Sequence, residues 1–220
     1  MKRALIAAAL FIVCAIIYFL PVDFVYRMCI PLAILTVASI GKLPWQMCLA
    51  FFFSFMGDAS SCSKGWLGHD TAFLCQMGNF AIAHVFFIFF FIRQWSSKAF
   101  RNRGLVYGSL LGLVALVTFI MLRVVPQVPA GVTRYGVAGY SLVISGMLFC
   151  ALMTRDWLWS LSAALFVYSD FILAWNAFCS PVPGQKYLIM LPYYGAQLLF
   201  FMRSMSKAAQ GYKLLGSHRS

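Results

Sequence analysis

Of the 220 residues, 63% are hydrophobic and 10% charged, and the mean hydropathy is +0.86, where an ordinary soluble domain runs about 45–50% apolar and about 25% charged. So small a domain exposes too much surface to hide that excess, which excludes a soluble globular enzyme and a disordered chain alike. The 17 Lys and Arg against 5 acids give a net charge of +12, but the bases sit in short gaps between apolar runs, which points to membrane topology and away from a nucleic-acid partner.

With about 17–25 residues needed to cross a hydrocarbon core, eight spans are expected at 4–20, 24–40, 45–61, 72–92, 104–125, 135–154, 157–178 and 187–205. The first begins Met-Lys-Arg and then runs apolar, like a signal peptide, but no small-x-small cleavage site precedes Pro21, so it is expected to be retained. Turn chemistry separates the spans at Pro21, Gly41 to Pro44, Pro126 to Gly131, and Pro181 to Gly184. The runs are continuous rather than alternating, which argues against strands. With eight crossings, twelve of the 17 bases fall on the N-terminal side, and five, Arg27, Lys64, Arg123, Arg134 and Lys186, on the other. That bias puts both termini in the cytoplasm. The expected architecture is all-α: one eight-helix membrane domain over 1–206, then a basic cytoplasmic tail over 207–220 near anionic headgroups. The seven cysteines show no metal-ligand spacing, and most sit inside apolar runs as small hydrophobes. Cys62, Cys75 and Cys179 fall near the non-cytoplasmic span ends, where a disulfide is chemically open to them. Short loops and compact size favour a bacterial plasma membrane over a eukaryotic endoplasmic-reticulum membrane.

Every acid is an aspartate: Asp23, Asp58, Asp70, Asp156 and Asp170. An ionisable group inside a bilayer costs several kcal/mol and usually faces a cavity, a partner or a pathway. Asp58 lies late in the third expected span and Asp170 inside the seventh, each thirteen residues after a tryptophan, Trp45 or Trp157. Both would therefore stand about 20 Å above the cytoplasmic interface, on spans running the same way, and could face each other. The similarity of the two stretches hints at a duplicated four-span unit. Counting inward along the return spans puts Asn79 and Tyr194 in the same layer, with His84 and Gln197 just below. Plainer roles exist for each: Asp58 as a helix-end cap, His84 as an interhelical hydrogen bonder, Asn79, Tyr194 and Gln197 as packing glue, and Lys42 as a cytoplasmic anchor. The aromatic run 86–91 is either lipid-facing or core bulk.

These residues resemble the pattern of the YhhN-like family of membrane proteins, which includes the lysoplasmalogenases. The resemblance rests on Lys42-x-Pro44 before the third span, Gly57-Asp58 near its end, and Gly78-x-Phe80 with His84 in the fourth. It continues through Tyr140 and Met147 in the sixth, Phe166-x-x-Ser169-Asp170 in the seventh, and Tyr193-Tyr194-x-x-Gln197 in the eighth, covering about residues 42 to 200. One departure is Ala163-Ala164, where the family often has Gly-Ala, a small-for-small change at a helix contact. The resemblance implies eight membrane helices and a hydrolase acting on a lysophospholipid, lysoplasmalogen, at its vinyl-ether bond. The products would be a fatty aldehyde and glycerophosphocholine or glycerophosphoethanolamine, and the family's paired aspartates would correspond to Asp58 and Asp170.

The chemistry suits such a pair. Vinyl-ether hydrolysis needs an acid to protonate the alkene carbon and a carboxylate to stabilise the oxocarbenium ion and orient water, a division that one protonated and one ionised carboxyl supply. Which Asp is the acid stays open. Asn79, His84, Tyr194, Gln197 and Lys42 are candidates to bind substrate or orient water. No cofactor is expected, and one His with two Asp is too thin a set to propose a metal. A proton-coupled transporter could use the same two acids. An intramembrane aspartyl protease could too, although Gly57-Asp58 lacks the longer glycine-rich context expected there.

Overall fold

The computed structural model describes residues 2–21 and 24–217, with side chains through 210. Asp23, Arg219 and the Lys213 side chain lie outside the described residues. The described chain forms ten α-helices: α1 Lys2–Phe19, α2 Ile30–Ser39, α3 Trp45–Cys62, α4 Lys64–Leu67, α5 His69–Ile92, α6 Ser97–Arg101, α7 Arg103–Arg123, α8 Val132–Met153, α9 Trp157–Phe178 and α10 Gln185–Ser217. No strand occurs among the described residues.

Five helices, α1, α5, α7, α8 and α9, are long and apolar enough to cross a membrane. They also display apolar side chains outward, such as Ile6 and Ile16 of α1 and Leu111 and Leu122 of α7, all more than half exposed. Water would not tolerate such surfaces, whereas lipid matches them. The protein is thus an all-α, polytopic membrane protein. All eight expected segments fall on helix, but three differ from a plain span. Over 24–40 the chain makes a short 3-10 turn, Val25–Met28, and only then the 10-residue α2, which starts next to Pro31. Helix α3 is 18 residues long but carries Gln46, Ser54, Asp58, Ser60 and Ser61. Helix α10 holds Pro192 and runs on through Ser217, beyond the expected end of the eighth span.

The bend into α10 needs Gly184 at φ +69°, a left-handed conformation that costs a side-chain-bearing residue more than glycine. Helices α3 and α5 pack as one hairpin, α9 and α10 as another, and α5 also lies against α8. Below the level of the acids the core is aromatic. Phe87 and Phe200 stand 4.6 Å apart, flanked by Phe51, Phe91 and Phe201, while Trp159 packs on Phe90 at 5.3 Å. The run 86–91 is therefore mostly core: Phe87, Phe90 and Phe91 are buried and Phe89 is exposed.

Asp156, just before α9, is fixed by bases on α10. Arg203 Nε and Nη2 donate to its Oδ2 at 2.8 and 2.7 Å, with Lys207 Nζ at 3.6 Å. This acid clamps the two ends of the second hairpin. Asp70 is exposed beside His69, 3.7 Å away. All seven cysteines are free. The neighbour of Cys62 is Cys29, Sγ to Sγ 3.3 Å, rather than Cys75 or Cys179. Helix α2 brings Cys29 to the end of α3, while Cys75 points outward from α5 and the Cys179 thiol faces the Arg123 carbonyl at 3.8 Å.

Candidate active site

Helices α3 and α9 begin at Trp45 and Trp157, so Asp58 and Asp170 each stand thirteen residues into their helix. Both line one cavity of about 570 Å³. Buried groups, Asp58, Ser169, Phe80 and Tyr193, form its floor. Lys64, His69 and Asp70 are exposed at its rim, and half-buried Lys186 lines it nearby.

Each acid is held by a tyrosine from another helix. Tyr193 of α10 donates its hydroxyl to both oxygens of Asp58, 3.0 Å from each. Tyr140 of α8 donates its hydroxyl to Asp170 Oδ2. His84 of α5, fully buried, has Nε2 2.9 Å from the Tyr140 oxygen and 3.8 Å from Asp170 Oδ2. A phenol carries one proton. With that proton given to Asp170, Nε2 of His84 is the donor to Tyr140, and a chain of hydrogen bonds runs His84 to Tyr140 to Asp170.

An aromatic floor joins the two clusters. The Phe166 ring lies 4.6 Å from His84 and 5.3 Å from Tyr193, and Phe80 lies 5.8 Å from Tyr193. Gly57 makes room for this floor, because a Cβ there would lie 2.9 Å from the Phe80 ring. Next to Asp170, Ser169 donates to the Ile189 carbonyl at 2.9 Å. Ile189 follows Leu188, whose carbonyl Pro192 leaves without a helical N–H, so Ser169 ties α9 to the proline-bearing turn of α10.

Apolar space borders the cavity at Asp170. One gap, of about 50 Å³ between α5, α8 and α9, is lined by Met77, Val137, Tyr140 and Ala174 and shares Phe73, Gln76, Phe80, Asp170, Leu173 and Phe178 with the cavity. A second, of about 40 Å³ between α7, α8 and α9, shares only Asp170 with it.

The other sequence candidates scatter. Tyr194 donates to the Met28 carbonyl at 3.1 Å and reaches neither acid. Asn79 bonds Ser60 Oγ at 3.2 Å and the Cys75 carbonyl at 2.9 Å, tying α5 to the end of α3 outside the cavity lining. Gln197 is fully buried one turn below Tyr193, and its amide has no hydrogen-bond partner among the described residues. Lys42 is remote: it lines a separate cavity at the opposite end with Lys2 and Arg3. The residues that depth counting passed over are Tyr140 and Tyr193. Tyr193 and Tyr194 share a depth but point about 100° apart on the helix, so height alone does not tell which ring meets Asp58. The available signal was that both tyrosines belong to the motif stretches. Among the described residues no three His, Cys, Asp or Glu side chains converge as a metal-ligand set.

The residues that build the two clusters are the ones on which the family resemblance rests, and the comparison with known sequences agrees: the YhhN family pattern matches residues 4–204. The chain belongs to the YhhN family. The family match begins in α1, well before the motifs first noted at Lys42. Among curated relatives, lysoplasmalogenase TMEM86B of Rattus norvegicus is 28% identical over 179 residues, 81% of this chain and 69% of that protein. Lysoplasmalogenase TMEM86B of Mus musculus is 28% identical over 181 residues, 81% of this chain and 71% of that one. Lysoplasmalogenase TMEM86A of Homo sapiens is 33% identical over 159 residues, 67% of this chain and 60% of that one. No solved structure matches the chain significantly.

Proposed function

We propose that this YhhN-family protein hydrolyses the vinyl-ether bond of lysoplasmalogen, releasing a fatty aldehyde and glycerophosphocholine or glycerophosphoethanolamine, with Asp58 and Asp170 dividing the acid and base roles. The observation that carries the reading is that both acids line one cavity and each accepts a tyrosine hydroxyl. One carboxyl gives its proton to the chain-side alkene carbon, leaving an oxocarbenium ion across the first chain carbon and the ether oxygen. The other carboxylate stabilises that cation and takes a proton from the water that attacks the same carbon. The hemiacetal then collapses, the C–O bond breaks, the glycerol oxygen regains a proton, and the aldehyde leaves. The sum consumes one water and no redox partner. General acid–base catalysis of this kind contributes about 10²–10⁴-fold.

In this reading the chain crosses the bilayer eight times, with both termini cytoplasmic and the cavity open to the opposite face, in a bacterial plasma membrane. A proton-coupled transporter could use the same acids, but transporters build their sites at broken helices, and α10, despite Pro192, is one helix over Gln185–Ser217. The test is aldehyde release by the purified, solubilised protein from lysoplasmalogen and from its saturated alkyl-ether analogue. Aldehyde from the vinyl ether alone, lost in Asp58→Asn and Asp170→Asn proteins that still fold, supports the proposal. A folded protein that releases none refutes it, and proton-coupled flux in liposomes then tests the transporter.

A further inference from the structure

We infer that the cavity accepts a single-chain zwitterionic lipid in one orientation: phosphate at Lys64 and Lys186, ammonium toward Asp70, and hydrocarbon chain leaving past Asp170 through the gap between α5, α8 and α9. This inference rests on the lysolipid reading of the cavity and adds to it where each part of the lipid lies.

The cavity is graded. Its rim carries both signs of charge, Lys64 and Asp70, with Lys186 lining it nearby. A phosphate bearing a choline or ethanolamine needs those two signs close together. Lys186 is already drawn to the cavity wall, its Nζ 5.0 Å from the Tyr18 ring and 3.5 Å from the Phe19 carbonyl. Those are neutral partners, so the ammonium has no counter-charge among them and an anion would be its strongest one. From the outer end of α9 at Phe178, Asp170 lies eight residues in, about 12 Å deep at helical rise. An extended glycerophosphocholine head, measured from its ammonium at the rim to its ether oxygen, has about that reach, which brings the ether bond level with the acids.

The chain must then leave sideways. The α5–α8–α9 gap is the continuous route, since six of its lining residues also line the cavity. Met77, Leu173, Ala174 and Phe178 there are only half-buried, so the gap faces the lipid surface. Gly136 of α8 leaves room for the Met77 side chain beside it. The gap between α7, α8 and α9 meets the cavity at Asp170 alone. A single continuous route for one chain is what the lysolipid reading requires. It also lets the substrate enter from the bilayer without lifting its chain into water.

The experiment uses the full-length protein in nanodiscs and a saturated alkyl-ether lysophosphatidylcholine with a mid-chain diazirine. Irradiation should label the α5 segment containing Met77, which lines this gap and not the one beside α7. Excess unlabelled alkyl-ether lysolipid should suppress the label, and so should Ala174→Trp. Label on Leu116 or Ile120 of α7, or label that competitor does not reduce, overturns the chain route. For the headgroup, Lys186→Gln should weaken competition by the lysolipid about tenfold, the scale of one charge-assisted contact. Competition by 1-O-alkylglycerol, which has no phosphate, should be unchanged; an equal loss for both, or none for the lysolipid, overturns the phosphate assignment. Labelling needs no turnover. A protein labelled in the gap but releasing no aldehyde would refute only the hydrolase reading, and one that releases aldehyde but is labelled elsewhere would refute only this pose.

Discussion

Tyr140→Phe separates the proposed mechanism from a merely structural role for the acid clusters. The change keeps the ring in place between α5, α8 and α9 and removes one oxygen, which donates to Asp170 Oδ2 and accepts from His84 at 2.9 Å. A hydrogen bond to a charged group is worth about 1.5–3 kcal/mol, so turnover should fall about 10–150-fold if the bond acts in the transition state. Asp170→Asn removes the reacting group itself and should cost more, about 10²–10⁴-fold. Tyr194→Phe is the internal control. Its hydroxyl serves the Met28 carbonyl, so its loss should leave kcat within about twofold and cost about 1 kcal/mol of stability. Aldehyde release from lysoplasmalogen, read as kcat and KM separately, measures all three, and the Tyr140 effect should fall on kcat. Because His84 works through Tyr140, Tyr140→Phe combined with His84→Gln should cost little more than Tyr140→Phe alone. Full activity in Tyr140→Phe, or a loss in Tyr194→Phe as large as in Tyr140→Phe, would refute the reasoning.

Other parts of the structure give independent checks. Gly57→Ala puts a methyl 2.9 Å from the Phe80 ring, beneath Tyr193, and should cost about 1–3 kcal/mol of stability, with a drop in turnover, seen by thermal unfolding in detergent beside the activity assay. Asp156→Ala leaves Arg203 and Lys207 without their carboxylate and should lower the unfolding temperature while sparing KM, since the pair lies away from the cavity. Lys42→Ala should leave turnover unchanged, its side chain lining the cavity at the opposite end. A disulfide reagent should join Cys29 to Cys62 and leave Cys75 and Cys179 unpaired with each other, as peptide mass spectrometry can read.

Much of this was legible in the sequence because membrane helices announce themselves by length and apolarity, and because acids are costly in them. The thirteen-residue spacing from Trp45 to Asp58 and from Trp157 to Asp170 became an equal height along the two helices, since both start at those tryptophans. Azimuth was not legible. Depth counting cannot tell Tyr193 from Tyr194, nor see that Asn79 turns toward Ser60, because rotation about a helix is set by neighbours and not by the helix itself. The contribution of Tyr140 was hidden likewise, because its partner lies thirty residues away on another helix. The approach of Cys29 to Cys62 follows from the short α2, which starts at Ile30, six residues into the expected span, with Cys29 as its N-cap.

The two hairpins depend on each other through the acids. The α3–α5 hairpin supplies Asp58 and His84, and the α9–α10 hairpin supplies Asp170 and Tyr193. Asp58 receives its hydrogen bonds from Tyr193 of the opposite hairpin. Asp170 is served by His84 of the opposite hairpin, through Tyr140 of α8. Neither hairpin alone could bury its own carboxylate cheaply, because an unpaired polar group in a low-dielectric interior costs several kcal/mol. Docking the hairpins on each other and on α8 removes that cost, and the same act assembles the pair of acids on one cavity. The residues that specify how the helices fit are thereby the residues the proposed chemistry needs, and a chain that failed to pair its acids would lose the fold and the site together.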